Sequence, residues 1–273
     1  MSDGLTALLF VVTLLGYGAV TGLFAASLSL SRTVLPGWPS RTLLGAFGMH
    51  TLVAASAILG LGAADAGARV WDHAFVTLAW GLMAVVIALG FWRPKTRVLG
   101  AFLAPVALGL CLAAVLAPRS AQVVAFLPDG PGPAWLPIHL SANIGSMALF
   151  ALAFGAGLAY LLQDARLKKK RIAGGGGVRL PPLEVLGGLV HSGFGAGLAC
   201  LSLVIVSGAF LAVADDVDGD QFRPKVIATL ALWLFYALGW QARHLLGWRG
   251  RKAAWIAILG FLGFLALVGL LFV

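Results

Sequence analysis

The sequence predicts an all-α, polytopic integral membrane protein with about eight transmembrane helices and with both termini outside. Of its 273 residues, 60% are hydrophobic and 11% are charged, whereas soluble domains are about half apolar and about a quarter charged. The mean hydropathy is +0.98. Apolar runs long enough to cross a bilayer, about 20 residues each, recur between clusters of charge, proline and glycine. This composition excludes a disordered tail, a collagenous chain, a coiled coil and a nucleic-acid-binding domain.

Eight apolar runs follow one another along the chain. They lie near residues 4–30, 41–63, 72–92, 98–117, 135–163, 183–213, 224–246 and 253–272. The fifth and sixth exceed the thickness of the bilayer core, so we expect them to tilt or to protrude. The first run opens with Asp3 and lacks a basic segment and a small-residue cleavage site, so we interpret it as a span and not as a signal peptide. We expect residues 1–273 to form a single transmembrane domain.

The charged residues give the orientation of these spans. Fifteen of the 19 basic residues fall in the loops that follow the odd-numbered spans, and eight of the ten acidic residues fall at the N-terminus or in the other loops. By the positive-inside rule the odd loops are cytoplasmic. The resulting asymmetry accounts for the formal net charge of +9 without a nucleic-acid partner. We expect a multi-pass protein of the bacterial inner membrane.

One cytoplasmic loop, about residues 164–182, differs from the others in composition. It contains the segment LKKKRIAGGGGVRLPP, a basic tract followed by four glycines and two prolines. Such a segment is typical of a flexible, solvated linker that also carries a topology signal. The alternative is a docking site for anionic lipid or for a cytoplasmic partner.

All five histidines lie within or at the edge of a span. His50 and His191 lie at a similar depth, about 12 to 13 Å from the cytoplasmic ends of the second and sixth spans. Ionisable side chains in hydrocarbon need partners and usually mark a ligand site or a pathway. A heme would satisfy two imidazoles, because they bind its iron axially while apolar helix faces cover the porphyrin. His139 lies one turn inside the outer end of the fifth span.

The other two histidines, His73 and His244, lie at span ends, where an interfacial role is the simpler interpretation. His73 is at the outer end of the third span and His244 is at the cytoplasmic end of the seventh, next to Arg243. No span contains two histidines, which disfavours stacked hemes. The sequence has no CxxC, HExxH, Walker or GxSxG motif and no intramembrane pair of carboxylates. We therefore predict no catalytic residue, no disulfide framework and no zinc site.

Several segments carry a resemblance to a known family. Residues 135–140 read WLPIHL, residues 223–255 read RPKVIATLALWLFYALGWQARHLLGWRGRKAAW, residues 47–51 read FGMHT and residues 201–208 read LSLVIVSG. The chain resembles the cytochrome c assembly proteins of the CcsA and CcmC type over most of its length. The matching positions include Trp233, Tyr236, Arg243 and the GWRG of residues 247–250.

The sequence also departs from that family. The external loop before Pro224 has no tryptophan, where heme-handling synthetases of the family carry a tryptophan-rich motif, and the histidine of the family's YLH motif falls on Gln241. The chain is most similar to the small HemX and YpjD subgroup. The resemblance implies a heme-associated membrane protein, which we do not expect to be an enzyme. It also implies that His139 is an external heme ligand and His50 an intramembrane one, with Trp135 and Trp233 lining the cavity.

Together these observations predict a membrane protein that binds heme b noncovalently through histidines on separate helices and serves heme handling or cytochrome c biogenesis. His50 and His191 are the preferred axial pair, and His139, with or without His73, is an outer site. Arg243 and His244 complete the candidate cofactor-binding set. The expected partners are heme, the lipid bilayer and cytochrome c maturation proteins. Two alternatives are a HemX-like regulator that recruits a cytoplasmic heme-biosynthesis enzyme, and a small-solute transporter.

Overall fold

The computed structural model describes residues 3–29, 38–58, 74–116, 135–168, 180–214 and 219–272, and every regular element in these ranges is helical. The predicted fold class is confirmed. Eight α-helices occur in these ranges, and their limits lie close to the eight apolar runs. They are α1 (Asp3–Ser29), α2 (Trp38–Ile58), α3 (Ala74–Trp92), α4 (Gly100–Leu116), α5 (Trp135–Lys168), α6 (Leu183–Ala214), α7 (Gly219–Leu245) and α8 (Arg251–Phe272).

Six segments in the described ranges are long and apolar enough to cross a membrane. They lie in α1, α3, α4 with the turn before it, α5, α6 and α7. The 34 residues of α5 and the 32 residues of α6 exceed the length that a bilayer core requires. The chain is therefore a multi-pass membrane protein, and eight crossings remain a prediction.

The helices form two compact groups. The first contains α1 to α4 and the last six residues of α5, and the second contains the rest of α5 together with α6, α7 and α8. Small residues allow close approach within the first group, as membrane helices require. A methyl group on Gly16 of α1 would come within 2.8 Å of the Ala46 side chain of α2.

A short polar turn joins α3 to α4. The 3₁₀ segment Pro94–Leu99 begins where a proline removes a backbone donor. The side chain of Arg97 donates from Nε to the carbonyl of Gly90 at 3.0 Å, which satisfies a carbonyl at the end of α3. The buried hydroxyl of Thr96 donates to the carbonyl of Arg93 at 2.7 Å. These hydrogen bonds hold the turn in place, so the connection between α3 and α4 is short.

Stacked aromatic rings form the core of the second group. Phe150 of α5 and Tyr236 of α7 lie parallel with ring centroids 3.6 Å apart, and both side chains are fully buried. A methyl group on Gly197 of α6 would come within 2.6 Å of Phe150, and one on Gly260 of α8 would come within 3.1 Å of Tyr236. The two rings therefore fill space that glycines leave open on the neighbouring helices.

Two glycines with positive φ shape the connection between α7 and α8. Gly247 has φ 62° and Gly250 has φ 64°, a region that side chains with a Cβ rarely adopt. The amides of Leu246 and Trp248 both donate to the carbonyl of Ala242, which ends α7. The amide of Ala254 donates to the carbonyl of Gly250, which begins α8. The GWRG segment is thus the turn that reverses the chain.

Candidate functional site

His139 lies on the first turns of α5 and packs against α6. Its ring is half-buried. The Nδ1 atom lies 3.2 Å from the carbonyl oxygen of Val204 and 3.1 Å from the hydroxyl of Ser207. Gly208 makes this approach possible, because a methyl group there would lie 3.2 Å from the Cε1 atom of the ring.

These contacts determine which ring nitrogen of His139 carries the proton. The carbonyl of Val204 can only accept, and the hydroxyl of Ser207 is directed to carbonyls of its own helix, at Leu203 and Val204. Nδ1 must therefore be the donor, which leaves the lone pair on Nε2. This arrangement is the one commonly found for histidines that bind metals, since the bond at one nitrogen fixes the orientation of the other.

Aromatic and apolar surface surrounds this end of α5. Trp135 stacks on Phe210 of α6 with ring centroids 4.6 Å apart and an angle of 8° between the planes. A groove of about 430 Å³ lies alongside, lined by Pro137, Ile138, Ser141, Ala142 and Leu203. Its volume falls in the range of small-molecule sites. His139 faces α6 and does not line the groove, so the imidazole and the groove are neighbouring features of the same helix pair.

A second cluster occurs at the opposite ends of α6 and α7. His191 stacks on Trp240 with ring centroids 5.9 Å apart and an interplanar angle of 10°. The ring of His244 makes T-shaped contacts with both of these rings. Its centroid lies 5.5 Å from that of His191 and 5.7 Å from that of Trp240. His191 is half-buried and His244 is exposed. Arg243 directly precedes His244 on α7. By the charge rule this end is cytoplasmic.

His50 occupies a different environment in the first helix group. Its side chain is fully buried, and its Nδ1 atom lies 2.9 Å from the hydroxyl of Tyr17 on α1. The intramembrane partner that the sequence left open is therefore a tyrosine, and this contact joins α2 to α1.

The two fully buried tyrosines should respond differently to loss of the hydroxyl. Tyr17→Phe is expected to lower the free energy of unfolding by about 1–3 kcal/mol, because it removes the partner of the buried imidazole of His50. Tyr236→Phe is expected to be neutral or stabilising, because the Tyr236 hydroxyl has no hydrogen-bond partner among the described residues. Thermal unfolding of both variants in detergent, compared with wild type, tests the contrast. Equal destabilisation of the two variants would contradict it.

The remaining predicted site residues lie apart. The indole of Trp233 donates to the hydroxyl of Ser202 at 2.9 Å, so it braces α7 against α6. Arg243 belongs to the cluster with His191, and His73 lies outside the described residues. His50 falls in the first helix group and His191 in the second, so their pairing as axial ligands stays a prediction.

The sequence analysis did not identify several residues that hold these histidines. Ser207 and Gly208 position His139, Tyr17 binds His50, and Trp240 supports His191. A signal existed for Tyr17, because the chain has only three tyrosines and this one lies within an apolar run. Ser207 gave no signal, since serine is common in membrane helices and bonds to its own backbone.

The fold and these histidines define a class, namely polytopic α-helical membrane proteins that present imidazoles at helix–helix contacts. A family model described as "Cytochrome C assembly protein" matches residues 71–273, which is most of the chain. The chain belongs to the cytochrome c assembly protein family.

Curated relatives agree with this assignment. The chain is 29% identical to the cytochrome c biogenesis protein CcsA of Thermosynechococcus vestitus over 83% of both chains. It is 27% identical to the CcsA of Microcystis aeruginosa over 86% of this chain and 88% of the relative. The CcsA of Gloeothece citriformis is 27% identical over 67% of this chain and 69% of its own. No solved structure matches the chain.

Proposed function

We propose that this protein binds heme noncovalently and takes part in cytochrome c maturation in the bacterial inner membrane. The observation that carries the proposal is the geometry of His139. Its Nδ1 atom is held by α6 and its Nε2 atom keeps the lone pair, which is the state that an iron ligand needs. Family membership and the CcsA relatives support the assignment to cytochrome c assembly.

The surroundings of His139 fit such a group. Heme, when bound, supplies an iron that accepts an imidazole nitrogen and a flat, largely apolar macrocycle. The groove beside His139 is lined by four apolar residues and by Ser141. The stacked pair of Trp135 and Phe210 extends this apolar surface by another turn of α5. In this proposal the residues of the chain bind the heme and orient it, and they carry out no covalent chemistry.

The proposal uses His139 and does not depend on the predicted pair of His50 and His191. The ring of His50 is fully buried and is bonded to Tyr17, so coordination through Nδ1 would require it to give up that bond. His191 stacks on Trp240 in the other helix group. The most direct support for a role in heme maturation therefore comes from the N-terminal end of α5, which the charge rule places outside.

An optical spectrum tests the proposal. Protein purified after expression with ample heme is expected to show a Soret band, and heme-free protein titrated with hemin is expected to bind it saturably. A protein that neither retains nor binds heme would contradict the proposal. That result would leave the regulator alternative, in which the basic loop of residues 167–182 recruits a cytoplasmic heme-biosynthesis enzyme and heme is not required.

A further inference from the structure

The cluster of His191, Trp240 and His244 has a geometry that suits a small ion. Two imidazoles bound to one metal ion each place their ring centroid about 3.2 Å from it, given metal–nitrogen bonds of about 2.0–2.1 Å. Tetrahedral coordination then separates the centroids by about 5.2 Å, and trans coordination across a heme separates them by about 6.4 Å. The observed separation is 5.5 Å.

The centroid separation can be compared with the values for two kinds of ligand, a single metal ion and a heme. The separation of the His191 and His244 ring centroids is nearer to that of two imidazoles on one tetrahedral ion than to that of two imidazoles on opposite faces of a heme. His191 is held flat against Trp240. His244 is exposed and can rotate about its side-chain bonds to bring a nitrogen toward the same point.

We propose that His191 and His244 form a binding site for a divalent transition-metal ion at the end of α6 and α7 that the charge rule places in the cytoplasm. Imidazole suits Zn²⁺, Cu²⁺ and Ni²⁺. No group of three or more histidine, cysteine or acidic side chains that could hold a metal occurs in the part of the chain that the structure describes. Water must therefore complete the coordination shell, so binding is weak and exchangeable. This proposal is independent of heme binding at His139.

Arg243 gives the site a diagnostic property. Arg243 directly precedes His244 on α7, and a positive charge next to the site opposes the binding of a cation and favours the binding of an anion. Replacing Arg243 with glutamine should therefore tighten the binding of a metal ion. The same replacement would weaken the binding of a phosphate or carboxylate group.

The experiment uses purified, heme-free full-length protein in detergent, with Ni²⁺ binding measured by equilibrium dialysis and by tryptophan fluorescence. Trp240 lies against both histidines, so bound Ni²⁺ is expected to quench it. Wild type is expected to bind one Ni²⁺ saturably. Both His191→Ala and His244→Ala should lose affinity by at least about tenfold, since each removes one of two protein ligands. Arg243→Gln should bind about two- to tenfold more tightly.

Two further variants complete the test. Gln241→Ala changes an exposed residue on the same turn and should bind Ni²⁺ like wild type. Trp240→Phe should lose most of the quenching but keep binding in dialysis, which shows where the ion sits. The proposal is overturned if both histidine variants bind within twofold of wild type, or if Arg243→Gln binds Ni²⁺ more weakly. Circular dichroism confirms that each variant is folded.

Discussion

His139→Ala is expected to lower the affinity for heme by at least about tenfold and to remove the Soret signature of imidazole coordination at the outer site. The ring supplies the nitrogen Nε2 as a ligand, because Val204 and Ser207 hold Nδ1. Without it, no imidazole at this end of α5 can ligate the iron. Hemin titration of the heme-free variant, followed in the Soret region, measures the effect.

Two comparisons separate loss of a ligand from loss of structure. Imidazole added to His139→Ala should restore part of the spectrum, because a small ligand can occupy the space that the side chain leaves. Ser207→Ala should weaken binding more modestly, by up to about tenfold, since it removes one of two partners of Nδ1. Ser192→Ala is the matched control, because among the described residues the Ser192 hydroxyl donates to the carbonyl of Leu189 in its own helix. An unchanged spectrum and affinity in His139→Ala would exclude this residue as the ligand.

Gly250→Ala is expected to destabilise the protein by about 2–5 kcal/mol, more than the corresponding change at the other glycine of the turn between α7 and α8. A non-glycine residue at φ 64° costs about 1–2 kcal/mol. The new methyl group would also lie 2.7 Å from the Tyr160 hydroxyl of α5. Relieving that overlap requires a shift of a rigid ring, which adds about 1–3 kcal/mol.

Gly247→Ala is the matched comparison for this turn. It has nearly the same φ, 62°, but its methyl group would meet nothing within 4 Å. It should therefore lose only the conformational part, about 1–2 kcal/mol. Adding Tyr160→Phe to Gly250→Ala should recover part of the difference, because it removes the atom in closest contact. Thermal unfolding in detergent gives the order of the variants, and equal midpoints for the two glycine variants would show that Tyr160 plays no part.

The positions of the helices could be read from the chain, because a bilayer core imposes a minimum length and an apolar composition on each span. The limits of α5 and α6 differ from the predicted runs by no more than five residues. The GWRG segment, quoted from the sequence for the family resemblance, contains both glycines that adopt positive φ. The family resemblance rests on the same kind of signal, namely tryptophans, arginines and glycines that membrane composition alone does not supply.

The environments of the histidines could not be predicted in the same way. The sequence predicts similar depths for His50 and His191, yet one is fully buried against Tyr17 and the other is half-buried beside Trp240 and His244. Depth along a helix follows from counting residues, whereas the direction of a side chain and its neighbours depend on how helices rotate and pack. The sequence analysis therefore identified the histidines as candidates but did not find their partners.

The sequence by itself determined that this is a multi-pass helical membrane protein, because hydrocarbon thickness and backbone hydrogen bonding leave a chain of this composition few alternatives. The match to the cytochrome c assembly family rests on its sequence motifs. Only the tertiary structure decided that the Nδ1 atom of His139 is held by α6, that His50 is bonded to Tyr17, and that the rings of His191 and His244 lie 5.5 Å apart. These are contacts between residues distant in the chain, and they arise only when helices pack closely enough for their side chains to meet.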